Sequence, residues 1–150
     1  MEPSIDELSG HCFGCGPANP EGLHLAFTVD REAHTASAPV SLDERYQGAP
    51  GYIHGGILAT LLDEAMSKLN RPLGLLAMTR HMAVDYLRPA PIHTLLALSA
   101  RHVRRDGRKL FHEAELQDAS GLVLARCTGL WIVVDPSVVH AASADAVEPA

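Results

Sequence analysis

The chain has 150 residues, of which 47% are hydrophobic and 20% charged, and its formal net charge is −6. This length and composition are typical of one globular domain whose core needs no disulfide or metal. An acidic chain lacks the positive field that nucleic-acid binding requires. No apolar run is long enough to span a bilayer, and the acidic N-terminus differs from a signal or transit peptide. We therefore expect a cytoplasmic protein that binds neither nucleic acid nor membrane.

The sequence predicts a single domain over residues 12–136. A flexible N-terminus (1–11) and a flexible C-terminal tail (137–150) are expected to flank it, because the first segment is largely polar and the last is small and rich in alanine. No internal repeat or long linker divides the chain.

The first predicted elements are two strands. Alternating apolar residues predict strands over 23–29 and 33–40, and the polar residues 30–32 between them suit a tight reversal. A polar, glycine-rich loop then covers residues 43–51.

One strong helical pattern follows the loop. Apolar residues recur at helical spacing over 57–69, with polar residues on the opposite side of the helical wheel. Gly55 and Gly56 stand at its N-terminal edge, and Asn70 with Pro72 ends it.

After the helix the apolar period changes to two. Turn-forming residues separate four strand-like runs, and Asp106-Gly107 is a strong hairpin signal. The runs cover residues 78–86, 94–103, 109–117 and 122–134. The predicted fold class is therefore α+β, with a curved antiparallel sheet of five to six strands packed around one long central helix.

The candidate chemistry is concentrated around the start of this helix. Gly55 and Gly56 leave backbone N–H groups that no side chain shields, and the helix dipole adds positive potential, so an anion or a developing oxyanion is stabilised there. Asp63 is a candidate nucleophile or general base. The alternative is a simple turn before the helix and a solvated carboxylate. His54 either orients the loop through a hydrogen bond or fills space.

The helix also fixes the distance between these groups. Seven residues separate Gly56 from Asp63, which is about 10 Å along the helix axis. One substrate carbonyl therefore cannot reach both within one subunit, and a shared site requires a second chain, most simply across a two-fold axis. Glu64 points about 100° away from Asp63 around the helix and is the weaker candidate.

A family resemblance rests on this segment. The run His54-Gly55-Gly56, six intervening residues and Asp63, followed by the strand over 79–89, resembles the hotdog-fold acyl-CoA thioesterases of the phenylacetate-pathway (PaaI-like) group. The resemblance covers about residues 22–135. It implies a hotdog fold, dimers with a continuous sheet and, often, tetramers formed from two dimers.

The resemblance also implies roles for individual residues. Asp63 would activate the hydrolytic water or attack the thioester, and the N–H of Gly55 or Gly56 would polarise the thioester carbonyl. Thr79 occupies the position of a Ser or Thr that helps to hold the water. Many relatives have an Asn in the loop before the glycines, and the nearest amide here is Gln47, whose contact with the substrate is left open.

The residues Arg104, Arg105, Arg108 and Lys109 concentrate positive charge on one predicted hairpin of an acidic chain. They would hold the phosphates of coenzyme A at the mouth of a pantetheine tunnel, and Arg88 is a second candidate of this kind. The alternative is a solvated hairpin tip whose charges discourage pairing at the sheet edge.

Two of the three cysteines form a Cys-x-x-Cys motif, Cys12 and Cys15, and the third is Cys127. A zinc site would need two further ligands at regular spacing, and a redox motif would need a strand-to-helix context, so both interpretations are rejected. The run resembles the lead-in of a bacterial branch of these thioesterases, where it is structural. No metal and no cofactor is expected.

The predicted function is hydrolysis of an acyl-CoA to the free acid and CoA by a homo-oligomer, either a dimer or a dimer of dimers. The catalytic groups would be an Asp base or nucleophile and a helix N-terminal oxyanion hole at the subunit interface. Two alternatives remain: a non-catalytic acyl-CoA-binding module, and a hotdog hydratase or dehydratase acting on acyl thioesters. The sequence does not reveal the acyl group.

Overall fold

A computed structural model of the chain describes residues 9–138. The ends predicted to be flexible lie outside these residues, apart from 9–11 and 137–138, so their flexibility stays a prediction. Within the described range the chain forms six strands and one α-helix. These are β1 (Thr28–Asp30), β2 (Thr35–Val40), α1 (Gly55–Ser67), β3 (Ala77–Tyr86), β4 (Leu96–Asp106), β5 (Lys109–Gln117) and β6 (Val123–Val133).

All six strands belong to one antiparallel sheet in the order β1-β2-β4-β5-β6-β3. The sheet wraps around α1, which contacts five of its strands, β2 to β6. The predicted α+β class and the hotdog arrangement of a sheet around a central helix are therefore confirmed. β3 lies at one edge of the sheet, where β6 is its only neighbour among the described strands.

The apolar stripe of α1 forms the centre of the core. Leu61, Leu62, Ala65 and Met66 are fully buried against the sheet. The helix ends at Ser67, two residues before the predicted end, because its last turn tightens. The N–H groups of residues 69 and 70 bond to carbonyls three residues back, which is the 3-10 pattern common at helix ends.

The first predicted strand, residues 23–29, is largely wrong. Only residues 28–30 pair in the sheet, as β1. Leu23 and Leu25 are buried in the core, but their N–H groups bond to the carbonyls of Phe13 and Gly14, at 2.8 and 2.9 Å. The alternating pattern thus reflects burial beneath the N-terminal segment rather than pairing in the sheet.

The predicted reversals are confirmed. Asp30 closes the turn between β1 and β2 by accepting from the N–H groups of residues 32 and 33. The β4–β5 hairpin turns at Gly107, whose φ of 58° favours glycine. No helix within residues 9–138 is long and apolar enough to cross a membrane. The cytoplasmic location stays a prediction.

A chain of polar side chains crosses the core beside Trp131. His112 is 1% exposed, and its Nε2 lies 2.7 Å from Oδ1 of Asn70. Because that oxygen only accepts, Nε2 donates, and Nδ1 of His112 therefore accepts from Nδ1 of His102 at 3.1 Å. Burial, with a smaller effect of His102, lowers the pKa of His112 to about 4. Burial also lowers the pKa of His102.

This chain of bonds predicts acid destabilisation. The ordinary pKa of His112 is 6.5 and the folded value is about 4, so the unfolded chain binds a proton first as the pH falls. The stabilisation from neutral His112 is full above pH 6.5 and is lost between pH 6.5 and about 4. We expect a loss of roughly 3 kcal/mol in the free energy of unfolding, measured by urea denaturation.

His112→Leu should lower the free energy of unfolding at pH 7, because the Asn70 oxygen loses its donor, and should flatten the pH dependence. Replacing the exposed His81 with Gln is the matched control and should leave the slope unchanged. Parallel pH profiles for wild type and His112→Leu would contradict this assignment.

Candidate active site

The loop before α1 is held by its own backbone. The N–H of His54 bonds to the carbonyl of Tyr46 at 2.9 Å, and that of Gly48 to the carbonyl of Tyr52 at 2.9 Å. The side-chain oxygen of Gln47 accepts from the N–H of Gly51 at 3.2 Å. Gln47 therefore stabilises the loop that leads into the start of α1.

The imidazole of His54 caps α1. Its Nδ1 accepts from the N–H of Gly56 at 2.9 Å, and its carbonyl accepts from the N–H groups of residues 57 and 58. The expectation of two unshielded N–H groups is thus wrong for Gly56, because a histidine ring nitrogen serves as the N-cap. His54 thus makes a hydrogen bond, but this bond caps the helix, and a role for His54 in orienting the loop stays a prediction.

The exposed Gly55 supplies the remaining N–H at this helix end. That group has no acceptor among residues 9–138. The carbonyl of Gly55 accepts from the hydroxyl of Tyr86 at 3.2 Å, which ties the helix start to the end of β3. Sequence reasoning missed Tyr86 as a site residue, since an alternating strand pattern gives no sign of a contact with a distant helix.

Asp63 is paired with Thr79. The Thr79 hydroxyl donates to Oδ1 of Asp63 at 2.7 Å, bridging α1 and β3. A register shift in the β3–β6 pairing falls between Thr79 and His81. Such a bulge adds one residue to a strand and redirects neighbouring side chains, and this one lies next to the contact.

Burial raises the pKa of Asp63, and the negative charge of Glu64 adds to the rise, while the bond from Thr79 lowers it. A carboxylate with a raised pKa is a better proton acceptor than an ordinary aspartate. The Thr79 hydroxyl donates to one carboxylate oxygen, Oδ1, and no hydrogen bond to Oδ2 is found among residues 9–138.

Glu64 lies in a different environment. Its carboxylate contacts Nζ of Lys68 at 3.3 Å and lies 3.7 Å from Sγ of Cys12, on the side of the helix covered by the N-terminal segment. Cys12, Cys15 and Cys127 are all free thiols. Glu64 and Asp63 are therefore neighbours in sequence with separate partners.

The basic hairpin is exposed, and three of its arginines have local partners. The guanidinium of Arg104 stacks on Phe111, 3.7 Å from the ring centroid. Arg105 donates to a carbonyl of its own turn at 2.8 Å, and Arg108 donates to the carbonyl of Val133 at 3.0 and 3.2 Å. Their cationic groups are held at the surface of the hairpin.

The other two basic candidates lie apart from each other. Lys109 is exposed at the start of β5. Arg88 follows β3, and its positive charge contributes to lowering the pKa of Asp118 in the β5–β6 turn, where the main cause is a hydrogen bond from Ser120. The five predicted cations thus do not form one patch.

A comparison with known families decides the classification. The model of the thioesterase superfamily matches residues 50–125, half of the chain, from the loop before α1 into β6. The chain belongs to the thioesterase superfamily. The curated acyl-coenzyme A thioesterase THEM4 of Bos taurus is 32% identical over 91 residues. That match covers 60% of this chain and 37% of the bovine protein, so the chain spans less than half of that relative.

Solved structures agree with this membership of the thioesterase superfamily. One described as a thioesterase superfamily protein is 31% identical, with a TM-score of 0.73 over 78% of this chain and 60% of that one. The Escherichia coli PaaI protein is 19% identical, with a TM-score of 0.69, covering 75% and 81%. A hypothetical thioesterase with coenzyme A from Streptococcus pneumoniae is 18% identical, with a TM-score of 0.68, covering 73% and 88%. The last two likenesses concern the fold alone.

The contact between Thr79 and Asp63 predicts a measurable effect on the carboxyl group. Thr79→Val removes the donor, so we expect the pKa of Asp63 to rise further above its ordinary value of 3.8. Carbon-detected NMR titration of the Asp63 carboxyl measures this directly, without substrate. Thr79→Ser keeps the hydroxyl and should keep the wild-type pKa. An unchanged pKa in Thr79→Val would show that the bond is absent in solution.

Proposed function

We propose that this chain hydrolyses an acyl-CoA thioester to the free acid and CoA, with Asp63 as the catalytic base. The observation that carries the proposal is the partly buried Asp63 carboxylate, with its raised pKa and its bond from Thr79, in a member of the thioesterase superfamily. The acyl-CoA thioesterase name of the bovine relative and the coenzyme A of the pneumococcal structure support the substrate class.

The reaction uses two groups. The thioester carbonyl oxygen accepts from the N–H of Gly55, where the helix dipole favours the negative charge that develops on attack. Asp63 takes a proton from a water, whose oxygen adds to the carbonyl carbon. The tetrahedral intermediate then expels the CoA sulfur, which takes the proton from Asp63. In the nucleophilic alternative Asp63 itself attacks and a mixed anhydride is hydrolysed.

The distance between these two groups supports a site that is shared by two subunits. Gly55 and Asp63 are about 12 Å apart along one helix, farther than one carbonyl group can bridge. We infer that the Gly55 N–H of one subunit faces Asp63 of its partner in a homodimer, with two equivalent sites.

The surface of β3 suits such a dimer. This ten-residue edge strand is mostly exposed, including Met78 and Tyr86, which are 51% and 55% exposed. A long edge strand presents unpaired N–H and C=O groups that pair readily with another chain. Pairing of β3 with its counterpart would continue the sheet and bring Thr79 and Tyr86 to the interface. A dimer of such dimers is compatible with this arrangement.

The basic hairpin is the proposed site for the CoA phosphates. Arg104, Arg105, Arg108 and Lys109 are exposed, and a diphosphate needs several donors that face solvent. Arg88 lies beyond the hairpin and would contact a phosphate only from the side of the β5–β6 turn.

Turnover should depend on the Asp63 carboxylate. Asp63→Asn should lower thiol release from acyl-CoA by roughly 10²–10⁴-fold, because the amide accepts no proton from water, while acyl-CoA affinity stays near the wild-type value. Release is measured with short, medium, long and aryl acyl-CoAs, and affinity by calorimetry. Glu32→Gln, which alters an exposed carboxylate in the β1–β2 turn, is the matched control and should keep full turnover.

The outcomes separate the competing functions. Binding without thiol release in the wild type favours an acyl-CoA-binding module. Conversion of an enoyl-CoA without thiol release favours a hydratase or dehydratase. Equal release by wild type and Asp63→Asn would remove Asp63 from the mechanism.

Substitutions placed on separate chains test whether the site is shared between two subunits. Gly55→Pro deletes the N–H, yet proline is favoured at the first helical position and the preceding His54 already has an extended ψ of 137°. Asp63→Asn and Gly55→Pro should each be inactive alone. Heterodimers made by co-expression should recover one intact site, and thus about half of the wild-type turnover per dimer.

Gly55→Ala keeps the N–H, and a Cβ there would lie 3.7 Å from the Tyr86 ring, an ordinary contact, so it should remain active. If the heterodimer stays as inactive as the two parents, each site is contained within one subunit and the proposed geometry fails.

A further inference from the structure

Three side chains that commonly bind metals meet where the N-terminal segment packs on α1. The donor atoms of Cys12, Cys15 and Glu64 all lie within 4.8 Å of one another. Sγ of Cys12 lies 3.7 and 3.8 Å from the two carboxylate oxygens of Glu64. All three residues are partly buried, and none has a role in the proposed hydrolysis.

We propose that Cys12, Cys15 and Glu64 bind one thiophilic divalent cation, Zn²⁺ being the natural candidate, with a solvent molecule at the fourth tetrahedral position. The site is independent of thioester hydrolysis. Its function is to fasten the segment over residues 12–25 to the helix that carries Asp63.

The spacing of the donor atoms suits zinc. Zinc binds thiolate sulfur at about 2.3 Å and carboxylate oxygen at about 2.0 Å, so tetrahedral geometry separates sulfur from oxygen by about 3.5 Å. The observed distances from Cys12 to Glu64 exceed this by a few tenths of an ångström. Binding therefore requires only a small inward movement of the side chains.

The loop between the cysteines is built around the Glu64 carboxylate. A Cβ on Gly14 would lie 2.6 Å from that carboxylate, so a larger residue there would displace the Glu64 side chain from its position beside Cys12. The N–H of Gly16 bonds to the carbonyl of Cys12 at 2.8 Å and closes the turn that brings the two sulfurs to one side. The donor set is thus held in place by backbone geometry.

Lys68 balances the charge of the cluster. Its Nζ lies 2.8 Å from Sγ of Cys15 and 3.3 Å from the Glu64 carboxylate. One divalent cation with two thiolates and one carboxylate carries a net charge of −1, which the Lys68 ammonium neutralises. An ammonium donating to a ligand sulfur is an outer-shell contact of the kind that orients metal ligands.

Both cysteines can serve as thiolate ligands, because a bound divalent cation replaces the thiol proton. The rejection of zinc from the sequence counted only ligands at regular spacing, and it could not include a carboxylate 52 positions away from Cys12.

The experiment measures metal binding in the reduced, full-length protein. Purified protein is stripped with a chelator and titrated with Co²⁺, whose thiolate charge-transfer absorption reports sulfur ligation. Zinc content of the protein as purified is measured by mass spectrometry. We expect one cation per chain, and a lower melting temperature after chelation.

Variants assign the ligands. Cys12→Ser and Cys15→Ser should lose most of the charge-transfer absorption, and Glu64→Gln should weaken Co²⁺ binding at least tenfold while keeping it. Cys127→Ser, which alters a buried thiol on β6 outside the cluster, is the matched control and should bind like wild type.

Absence of the absorption in reduced wild-type protein, or its persistence in the Cys12 and Cys15 variants, would overturn the site. An intact mass lower by two hydrogens, with no bound metal, would replace it with a Cys12–Cys15 disulfide. These readouts do not depend on turnover, so failure of the metal site leaves thioester hydrolysis untouched, and the reverse also holds.

Discussion

The burial of α1 inside the curved sheet is the constraint on which every candidate group depends. Leu61, Leu62 and Met66 have no exposed surface, so the helix can neither slide nor rotate without opening the core. A rigid helix fixes Asp63 on one turn and the free N–H of Gly55 two turns away. One carbonyl group therefore cannot contact both groups of the same chain.

The two glycines at the start of α1 have different tasks. Gly56 gives its N–H to the ring of His54, which stabilises the helix end. The N–H of Gly55 has no acceptor among residues 9–138, and the carbonyl of Gly55 accepts from Tyr86. The capped N–H of Gly56 therefore orders the helix end that carries the N–H of Gly55. A fixed donor of this kind is what electrostatic preorganisation requires.

The sequence predicted features governed by local rules and missed those set by tertiary contacts. The helical period and the Asp106-Gly107 turn identify the helix and its hairpins, because both depend on neighbouring residues. The region over 23–27 was misassigned, since burial under another segment produces the same alternation as pairing. At the site, the helix pattern places Asp63 as a carboxylate on a largely apolar helix, and its catalytic role, implied by the resemblance, stays a prediction. Capping by His54 depends on a ring orientation that sequence does not specify, and the contact between Glu64 and Cys12 depends on packing between residues 52 positions apart.

Because β3 is an edge strand, the order of the candidate site depends on what covers that edge of the sheet. Thr79 and Tyr86, which contact Asp63 and the helix start, lie on β3, an edge strand with one neighbour among the described strands. An edge strand opens at a lower free-energy cost than a strand paired on both sides. Opening of β3 would release both contacts together. Any molecule that covers this edge therefore also stabilises the position of the Asp63 carboxylate. Amide exchange along β3 and the environment of Asp63 should then change together.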